Sequence, residues 1–397
     1  MANRKDSKNR VLKTGEIERT DGRYEYRYTD IKTGKRKSVY ARDLPELREK
    51  EKAVLLNLHN DVCTDASLKK MTVNDLFDRF LEIRQISEST KVNYNSAWNT
   101  HVRNALGQFL AVKVLPSDVQ KFYSDLAKKG LSHSTIKIVH NLLHPAMEIA
   151  VNDGLINKNP TKGMLGDFGL APQEKTALTE NQQKRLMEFV KSDSTYNVYY
   201  PMLSIMLGTG VRCGELIGLT WDDVDMENRE IHIKRTLVYK DYGDGLRLHV
   251  STPKTLSGVR TIPMTDSVYT AFEEQKRLND ILGRSQKSFD VDGLKDFVFI
   301  TRNGRPLLMN SVNKVLTGIV KEMNKQGNAE KFPAVSAHIM RHTFCTRMAE
   351  KGMDIKALQY VMGHANINIT MNIYNHITDM SRVADELAKI NKLAVNF

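Results

Sequence analysis

The chain has 397 residues, too many for one hydrophobic core of ordinary size, and its 41% hydrophobic and 27% charged residues exclude a disordered protein. Lysine and arginine total 59 against 47 aspartate and glutamate, so the net charge of +12 favours a polyanionic partner such as nucleic acid. No apolar run is long enough to cross a bilayer, and the charged start at 1–10 has no signal-peptide core, which predicts a cytoplasmic protein without a membrane partner.

The first segment predicts a short antiparallel sheet packed on one helix. Aromatic and charged residues alternate over 23–28, a turn follows at 32–35, and 36–40 has the pattern of a partner strand. Asp43 is a candidate cap for the helix that follows. The tyrosines are expected to face this helix and the basic residues to face outward, on a ribbon with the width of a DNA major groove. A solvated charged hairpin fits the same pattern. The candidate DNA-binding residues here are Arg23, Arg27, Lys35, Arg36 and Lys37.

The second segment predicts a bundle of helices. Thr72 and Asn74 are candidate caps before an apolar run with helical spacing, and Ser87 is expected to start the next helix. Further helices are expected to open at Ser117, Asp118 and Ser132. Pro145 lies inside the last of these helices, which predicts a kink or a break at that point. Lys91 is the candidate DNA-binding residue of this segment. A bundle of this kind is compatible with many partners and by itself indicates no function.

The third segment mixes helices with strands. An apolar helix over 202–207 runs into two glycines, and a new helix is expected to begin near Glu215. Residues 229–239 alternate as one strand, and 246–263 predicts a hairpin with Lys254 at its tip. The tail beyond 380 has an apolar stripe, which fits packing either on its own domain or on a neighbouring subunit.

Each of three residues in this segment fits either a catalytic role or an ordinary structural role. Arg212, at a junction of two helices, has the planar fork that matches phosphate oxygens, but it also suits a capping residue. Lys254 is either a mobile proton donor or a solvated turn residue. Tyr374 is either a nucleophile or a core residue.

The remaining candidate catalytic residues of this segment lie in the stretch His338-Ile339-Met340-Arg341-His342. His338 and Arg341 are three residues apart and share one face of a helix. His338 and His342 also have a spacing that suits zinc, but Ile339 stands where a zinc protease has glutamate, and no third ligand is evident nearby. We therefore predict no metal site here.

Taken together, these residues predict a site for an anionic substrate. Two arginines, two histidines, a lysine and a tyrosine occur without a carboxylate pair. Phosphoryl transfer needs positive charge on the non-bridging oxygens, a nucleophile and an acid for the leaving group. Arg212 and Arg341 can supply the charge without a metal, and Tyr374 can form a covalent intermediate that reverses readily because a phenol leaves easily.

The order and the local wording of these motifs resemble the tyrosine recombinase family. They are Thr-Gly-x-Arg-x-Gly-Glu at 209–215, His-x-x-Arg-His-Thr-Phe at 338–344, Gly-His-Ala at 363–365 and Ile-Tyr-Asn-His at 373–376. Met340 and Met362 stand where leucine is commoner in the family, and both are apolar and of similar volume. The first two segments resemble the arm-binding and core-binding domains of lambda-like and conjugative-transposon integrases.

The resemblance implies a multidomain fold. It predicts a small α+β N-terminal domain, a three-stranded sheet plus a helix, over 1–65. It predicts an all-α core-binding domain over 66–165. The third domain, over 173–397, is expected to be the mainly-α, α+β catalytic domain with its C-terminal tail.

The resemblance also implies the mechanism of a mobile-element integrase, which integrates and excises DNA without ATP or another cofactor. Tyr374 would attack the scissile phosphate and form a 3′-phosphotyrosine, while Arg212, Arg341 and His364 hold the phosphate. Lys254 would protonate the leaving 5′-oxygen, and His338 would take part in proton transfer at the tyrosine. A second round of cleavage and rejoining passes through a Holliday junction.

The implied partners are double-stranded DNA, at core and arm sites, and three further copies of the chain in a homotetramer. An excisionase and a host DNA-bending protein are further expected partners. Three alternatives remain open: a type IB topoisomerase, a Xer-type chromosome-dimer resolvase, and a DNA-binding regulator that has lost catalysis. The hairpin domain over 1–60 speaks against the first two, and the complete catalytic set speaks against the third.

Overall fold

The computed structural model describes residues 4–29, 34, 36–59, 70–171, 176–253, 256–284, 287–325 and 331–377. Lys35, Lys254 and the apolar stripe of the tail lie outside these ranges. The chain divides into two compact units, 1–173 and 174–397. Within the described ranges, no helix combines the length and the apolar character that crossing a membrane requires.

The N-terminal part of the first unit is a three-stranded antiparallel sheet covered by one helix, as predicted. Tyr24 and Tyr26 are buried against Leu44 and Leu47, so these tyrosines face the helix. Asp43 accepts a hydrogen bond from the backbone N–H of Glu46 at 2.9 Å, which confirms it as the cap. The elements are β1 (Glu16–Glu18), β2 (Tyr24–Thr29), β3 (Arg36–Ala41) and α1 (Leu44–His59), in the sheet order β1-β2-β3.

Over the described residues 70–171, the regular elements of the first unit are all helices. Thr72, Ser87 and Ser132 each accept a hydrogen bond from the backbone N–H three residues on, which confirms them as caps. The other candidates were wrong as caps, because they lie inside helices: Asn74, Ser117 and Asp118. The predicted break at Pro145 was wrong, because buried side chains on both sides of it keep one continuous helix packed in the core. The helices are α2 (Val73–Ile83), α3 (Glu88–His101), α4 (Pro116–Lys128) and α5 (His133–Asn152).

In its described residues, the second unit is mainly helical, with two small antiparallel sheets, of order β4-β5-β8 and β6-β7. Its strands are β4 (Val224–Asp225), β5 (Glu230–Ile233), β6 (Thr236–Asp241), β7 (Leu246–Ser251) and β8 (Arg260–Pro263). Its helices are α6 (Glu180–Ser192), α7 (Tyr200–Thr209), α8 (Cys213–Ile217), α9 (Asp266–Ile281), α10 (Met309–Lys325), α11 (Ala337–Glu350), α12 (Ile355–Met362) and α13 (Ile367–Ile377).

Two expectations about these strands were wrong. Residues 229–239 form two strands in different sheets. The strand is interrupted at Lys234 and Arg235, because their side chains form ion pairs with the buried carboxylate of Asp223. Residues 246–263 are not a hairpin, since β7 pairs with β6 and β8 pairs with β5. Alternation along a strand indicates which face is buried, but it does not indicate which strand is the partner.

Candidate active site

Arg212 is positioned by the turn between α7 and α8. Gly210 ends α7 in the left-handed conformation (φ 63°), and a Cβ there would lie 2.2 Å from Cδ1 of Phe344, so the turn requires glycine. Arg212 then caps α8 and donates from its backbone N–H and Nη1 to Glu215, at 2.9 and 2.7 Å. Its Nη2 donates to the carbonyl of Gly363 at 2.8 Å. The side chain stays 42% exposed.

Arg341 is a buried cation on α11. Its Nη1 donates to the carbonyl of Gly210 at 2.7 Å and its Nη2 to the carbonyl of Met362 at 2.5 Å. Burial lowers the pKa of Arg341, and the nearby Arg212 lowers it further. Among the described residues, no carboxylate forms an ion pair with this guanidinium. Holding it charged therefore costs free energy, which a bound anion would offset.

His364 follows the left-handed Gly363 that ends α12 (φ 59°). Its ring is buried, and Nδ1 is hydrogen-bonded to Oγ1 of Thr370 at 2.9 Å. Burial, reinforced by Arg341 and Arg212, lowers the pKa of His364 to about 4, so the ring is neutral at physiological pH. No described residue is hydrogen-bonded to Nε2, which leaves that nitrogen for a substrate.

Tyr374 lies on α13 and is half-buried against Phe344, Leu358 and Met362. Its hydroxyl donates to the backbone carbonyl of Met353, in the loop between α11 and α12. Attack on a phosphate requires the phenol to exchange this hydrogen bond for one to a substrate or base. The structure therefore places the tyrosine on the helix next to the arginine and histidine cluster, with its hydroxyl engaged by the protein.

The structure brings Arg212, Arg341 and His364 together, but it does not place all of the predicted catalytic residues. His338 is exposed on α11, one turn before Arg341, so the expected shared helix face is present. Lys254 lies outside the described residues. Within the described ranges, no three histidine, cysteine, aspartate or glutamate side chains are grouped as metal ligands.

The sheet register separates the predicted DNA-binding residues of β2 and β3. Arg27 pairs across the sheet with Ser38, and Arg36 pairs with Thr29, on the face opposite the helix. Lys37 pairs with Tyr28 and therefore lies on the helix side. Arg23 is exposed beside Asp21, while Lys91 is exposed on α3.

Arg27 is less available for binding DNA than the exposure of its side chain suggests. Its Nε and Nη2 donate to the buried carboxylate of Glu25 at 3.0 and 3.1 Å, and its own side chain is 58% exposed. The hydrogen bonds from Arg27, and then the one from Ser38, lower the pKa of Glu25 to about 2. The open sheet face thus carries, among its cations, a carboxylate that is ionised at neutral pH.

Sequence reasoning missed two residues that hold the site together. Thr370 orients the ring of His364, and Arg260 binds the carboxylate of Glu215 from β8. The signal for Arg260 is its position two residues before Ile262, on the inward face of a strand, where a charge needs a buried partner.

The geometry is that of an anion receptor. Each guanidinium has five N–H donors, and Arg212 and Arg341 each commit two of them to protein oxygens within the described residues. The remaining donors, together with the free Nε2 of His364, suit a group with several negative oxygens. A carbonyl or an alcohol would leave most of these donors unsatisfied.

Comparisons with known proteins agree with this chemistry. Residues 176–380 match the Phage integrase family, and residues 1–58 match the DNA binding domain of Tn916 integrase. The transposase from transposon Tn1545 of Streptococcus agalactiae is 36% identical, over 98% of this chain and 97% of its own length. The Tn1549 transposon integrase, solved with a circular-intermediate DNA, is 34% identical with a TM-score of 0.72, over 81% of this chain and 99% of that chain.

A more distant structure shares the fold alone. It is the lambda integrase tetramer bound to a Holliday junction, which is 16% identical with a TM-score of 0.53, over 90% of this chain and 94% of that chain. The family match covers the whole anion receptor, from Arg212 to Tyr374, and the similarity to the transposon protein extends over nearly the full length of both chains. This chain therefore belongs to the phage integrase family of tyrosine recombinases and resembles the integrases of conjugative transposons.

Proposed function

We propose that this chain is the integrase of a mobile genetic element, which cuts and rejoins double-stranded DNA at specific sites through a covalent bond to Tyr374. The observation that carries the proposal is that Arg212 and Arg341 donate to the carbonyls of residues 363 and 362, directly before His364, whose ring is hydrogen-bonded to the helix that bears Tyr374. The transposon relatives support the assignment to a mobile element.

In this proposal, the scissile phosphate accepts hydrogen bonds from the spare N–H groups of the two guanidinium groups and from Nε2 of His364. Nε2 carries the proton in the tautomer whose Nδ1 accepts from the hydroxyl of Thr370. Arg341 is buried and forms no ion pair with a carboxylate of the described residues, so a phosphate relieves an electrostatic cost that the free protein bears. The pentacoordinate transition state carries more negative charge on its non-bridging oxygens than the ground state does. Fixed donors therefore stabilise it more strongly than they stabilise the bound substrate.

The covalent step forms a bond between the phenolic oxygen of Tyr374 and phosphorus, and it breaks the bond between phosphorus and the 5′-oxygen. The phenol releases its proton, in a transfer that involves His338, and Lys254 supplies a proton to the leaving 5′-oxygen. The 5′-hydroxyl of a partner strand then reverses the step, and a second exchange resolves a Holliday junction. Each exchange conserves the number of phosphodiester bonds, so no ATP is consumed.

The other segments bind and organise the DNA. We assign arm-site binding to 1–65, core-site binding to 66–165 and catalysis to 173–397. The outward face of β2 and β3 has the width and the basic residues that suit a major groove. Bringing two DNA sites together calls for a homotetramer, and control of direction calls for an excisionase and a host DNA-bending protein. All of these partners act on DNA in the cytoplasm.

The test uses a suicide DNA substrate, nicked beside the cleavage point so that the released end diffuses away. The substrate comes from the ends of the element in which the gene lies. Wild-type protein, Tyr374→Phe and Tyr360→Phe are each incubated with it in EDTA, and protein–DNA bands that survive denaturation are counted. Tyr360 is the matched control, because it is an exposed tyrosine on α12, near the site but outside the proposed machinery.

We expect covalent bands from wild type and Tyr360→Phe and none from Tyr374→Phe. A band that survives the Tyr374 substitution would place the nucleophile elsewhere. If wild type binds this DNA tightly and forms no covalent band, the chain is better described as a DNA-binding regulator.

A further inference from the structure

Arg260 is a fully buried cation that the proposed mechanism does not use. Its side chain is 0% exposed, although a guanidinium is among the groups most costly to remove from water. Its Nη2 and Nη1 donate to the two carboxylate oxygens of Glu215 at 2.9 and 3.2 Å, and its Nε donates to the carbonyl of Val361 at 2.6 Å. These contacts connect β8, α8 and the end of α12.

The contact with Val361 completes a regular pattern. Three arginines donate to three consecutive carbonyls: Arg260 to residue 361, Arg341 to residue 362 and Arg212 to residue 363, at 2.6, 2.5 and 2.8 Å. These carbonyls end α12, where the helix dipole is negative, and the next residue is His364. Each arginine comes from a different element, so the segment 361–363 is the common attachment point of the site.

Glu215 is shared between two of these arginines. Arg260 binds its carboxylate from the buried side, and Arg212 donates to it from the side that is open to solvent. The Glu215 side chain is only 4% exposed, and burial acts to raise its pKa, but the hydrogen bonds and charges of Arg260 and then Arg212 together lower it. Without Arg260, the carboxylate would lose the cation that keeps it ionised and in place, and Arg212 would lose its anchor.

Gly363 shows how closely Arg260 approaches the segment. A Cβ at residue 363 would lie 2.8 Å from Nη1 of Arg260, so a side chain there would displace the guanidinium. The guanidinium thus fills the space beside the turn that leads into His364. The side chain has no solvent-exposed surface, so the fold shields it from bound DNA.

We propose that Arg260 is a positioning residue, which fixes Glu215 and the carbonyls of 361–363 so that Arg212 and His364 meet the same phosphate. The inference rests on the proposed recombinase function. It adds a residue that acts through Glu215 and never touches the substrate. Its loss should slow cleavage of DNA while leaving DNA binding intact.

The experiment compares Arg260→Met, Arg260→Lys and wild type on the suicide substrate described above. Arg229→Met is the matched control, since Arg229 is an arginine of the same unit that forms an exposed ion pair with Asp266. The rate of covalent complex formation, the DNA dissociation constant and the melting temperature are measured for each protein. We expect cleavage by Arg260→Met to be about 100-fold slower, with the dissociation constant unchanged. Arg260→Lys should recover part of the rate, because it keeps the charge beside Glu215 and lacks the fork.

A second substrate separates positioning from a general loss of structure. It carries a methylphosphonate at the scissile position, which removes the negative charge of one non-bridging oxygen and so lowers the demand for positive charge. If Arg260 acts by aligning Arg212 with that charge, the defect of Arg260→Met relative to wild type should shrink to about tenfold or less on this substrate.

The possible results distinguish a failure of the proposed function from a failure of the positioning role. Failure of wild type to form any covalent complex would contradict the proposed function itself. Covalent complex from wild type, with normal rates in both Arg260 variants, would overturn the positioning role. An equal defect on both substrates, or loss of folding in both variants, would assign Arg260 to stability alone and would also overturn it.

Discussion

The imidazole of His364 and the hydroxyl of Thr370 are hydrogen-bonded at 2.9 Å, and both side chains are buried. Thr370 lies on α13, one helical turn before Tyr374. The helix that carries the proposed nucleophile therefore also orients the histidine that is proposed to bind the phosphate. A movement of α13 that brings Tyr374 to a substrate must preserve this hydrogen bond or replace it.

Thr370→Val should slow cleavage, because valine keeps the shape of the side chain and removes the hydroxyl that orients His364. One neutral hydrogen bond contributes about 1 kcal/mol, so we expect a rate about fivefold lower with unchanged DNA affinity. Thr370→Ser, which keeps the hydroxyl, is the control and should cleave at close to the wild-type rate. The suicide substrate supplies the measurement, and equal rates for the valine and serine variants would contradict the orienting role.

The neutral state of His364 predicts a loss of stability in acid. Its pKa is about 4 in the folded chain, against about 6.5 for an unperturbed histidine, because burial and then Arg341 disfavour the imidazolium. The unfolded chain therefore binds more protons between these values, and stability falls as the pH drops through that window. We expect a contribution of about 2 kcal/mol to be lost between pH 8 and pH 5.

The measurement is the free energy of unfolding in urea at pH 8 and pH 5, for wild type and His364→Gln. The glutamine variant lacks the titrating ring, so its stability should depend less steeply on pH. An identical pH dependence in the two proteins would show that His364 does not titrate abnormally.

Gly210→Ala should damage both stability and cleavage. Its φ of 63° disfavours alanine by about 1–2 kcal/mol, and the added Cβ would lie 2.2 Å from the ring of Phe344. The carbonyl of Gly210 also binds Arg341, so a shift of this turn moves the buried cation. We expect a lower melting temperature and a slower cleavage rate. Gly243→Ala is the control, because it has a positive φ of 103° with open space around the position. A fall in melting temperature no larger than that of Gly243→Ala would contradict this account.

The two faces of the N-terminal sheet predict unequal effects for adjacent residues. Arg36 lies on the open face and Lys37 on the helix side. Arg36→Ala should weaken binding to arm-site DNA and lower the slope of log affinity against log salt by about 1, the value for one lost phosphate contact. Lys37→Ala should change the slope less. Binding titrations of the full chain at several salt concentrations give these slopes. Equal slopes for Arg36→Ala and Lys37→Ala would contradict DNA binding on the open face.

Much of the fold followed from local sequence signals. The caps at Thr72, Ser87 and Ser132 were predictable because a hydroxyl before an apolar run satisfies the free N–H groups at the start of a helix. The sheet formed by β6 and β7 was not predictable, because the alternation of residues over 229–239 is the same whether one strand or two strands are present. Lys234 and Arg235, where the strand is interrupted, form ion pairs with Asp223. The alternation of residues along the strands gives no indication of this contact.

For the active site, the sequence by itself determined the chemical groups: two arginines, two histidines, a lysine and a tyrosine in an order that identifies the family. Only the tertiary structure decided how they are held. Arg260, Glu215 and the carbonyls of 361–363 come from separate segments, and their hydrogen bonds exist only when these segments fold together. Burial likewise lowers the pKa of His364, because desolvation depends on the surrounding fold and not on the neighbouring residues in the chain.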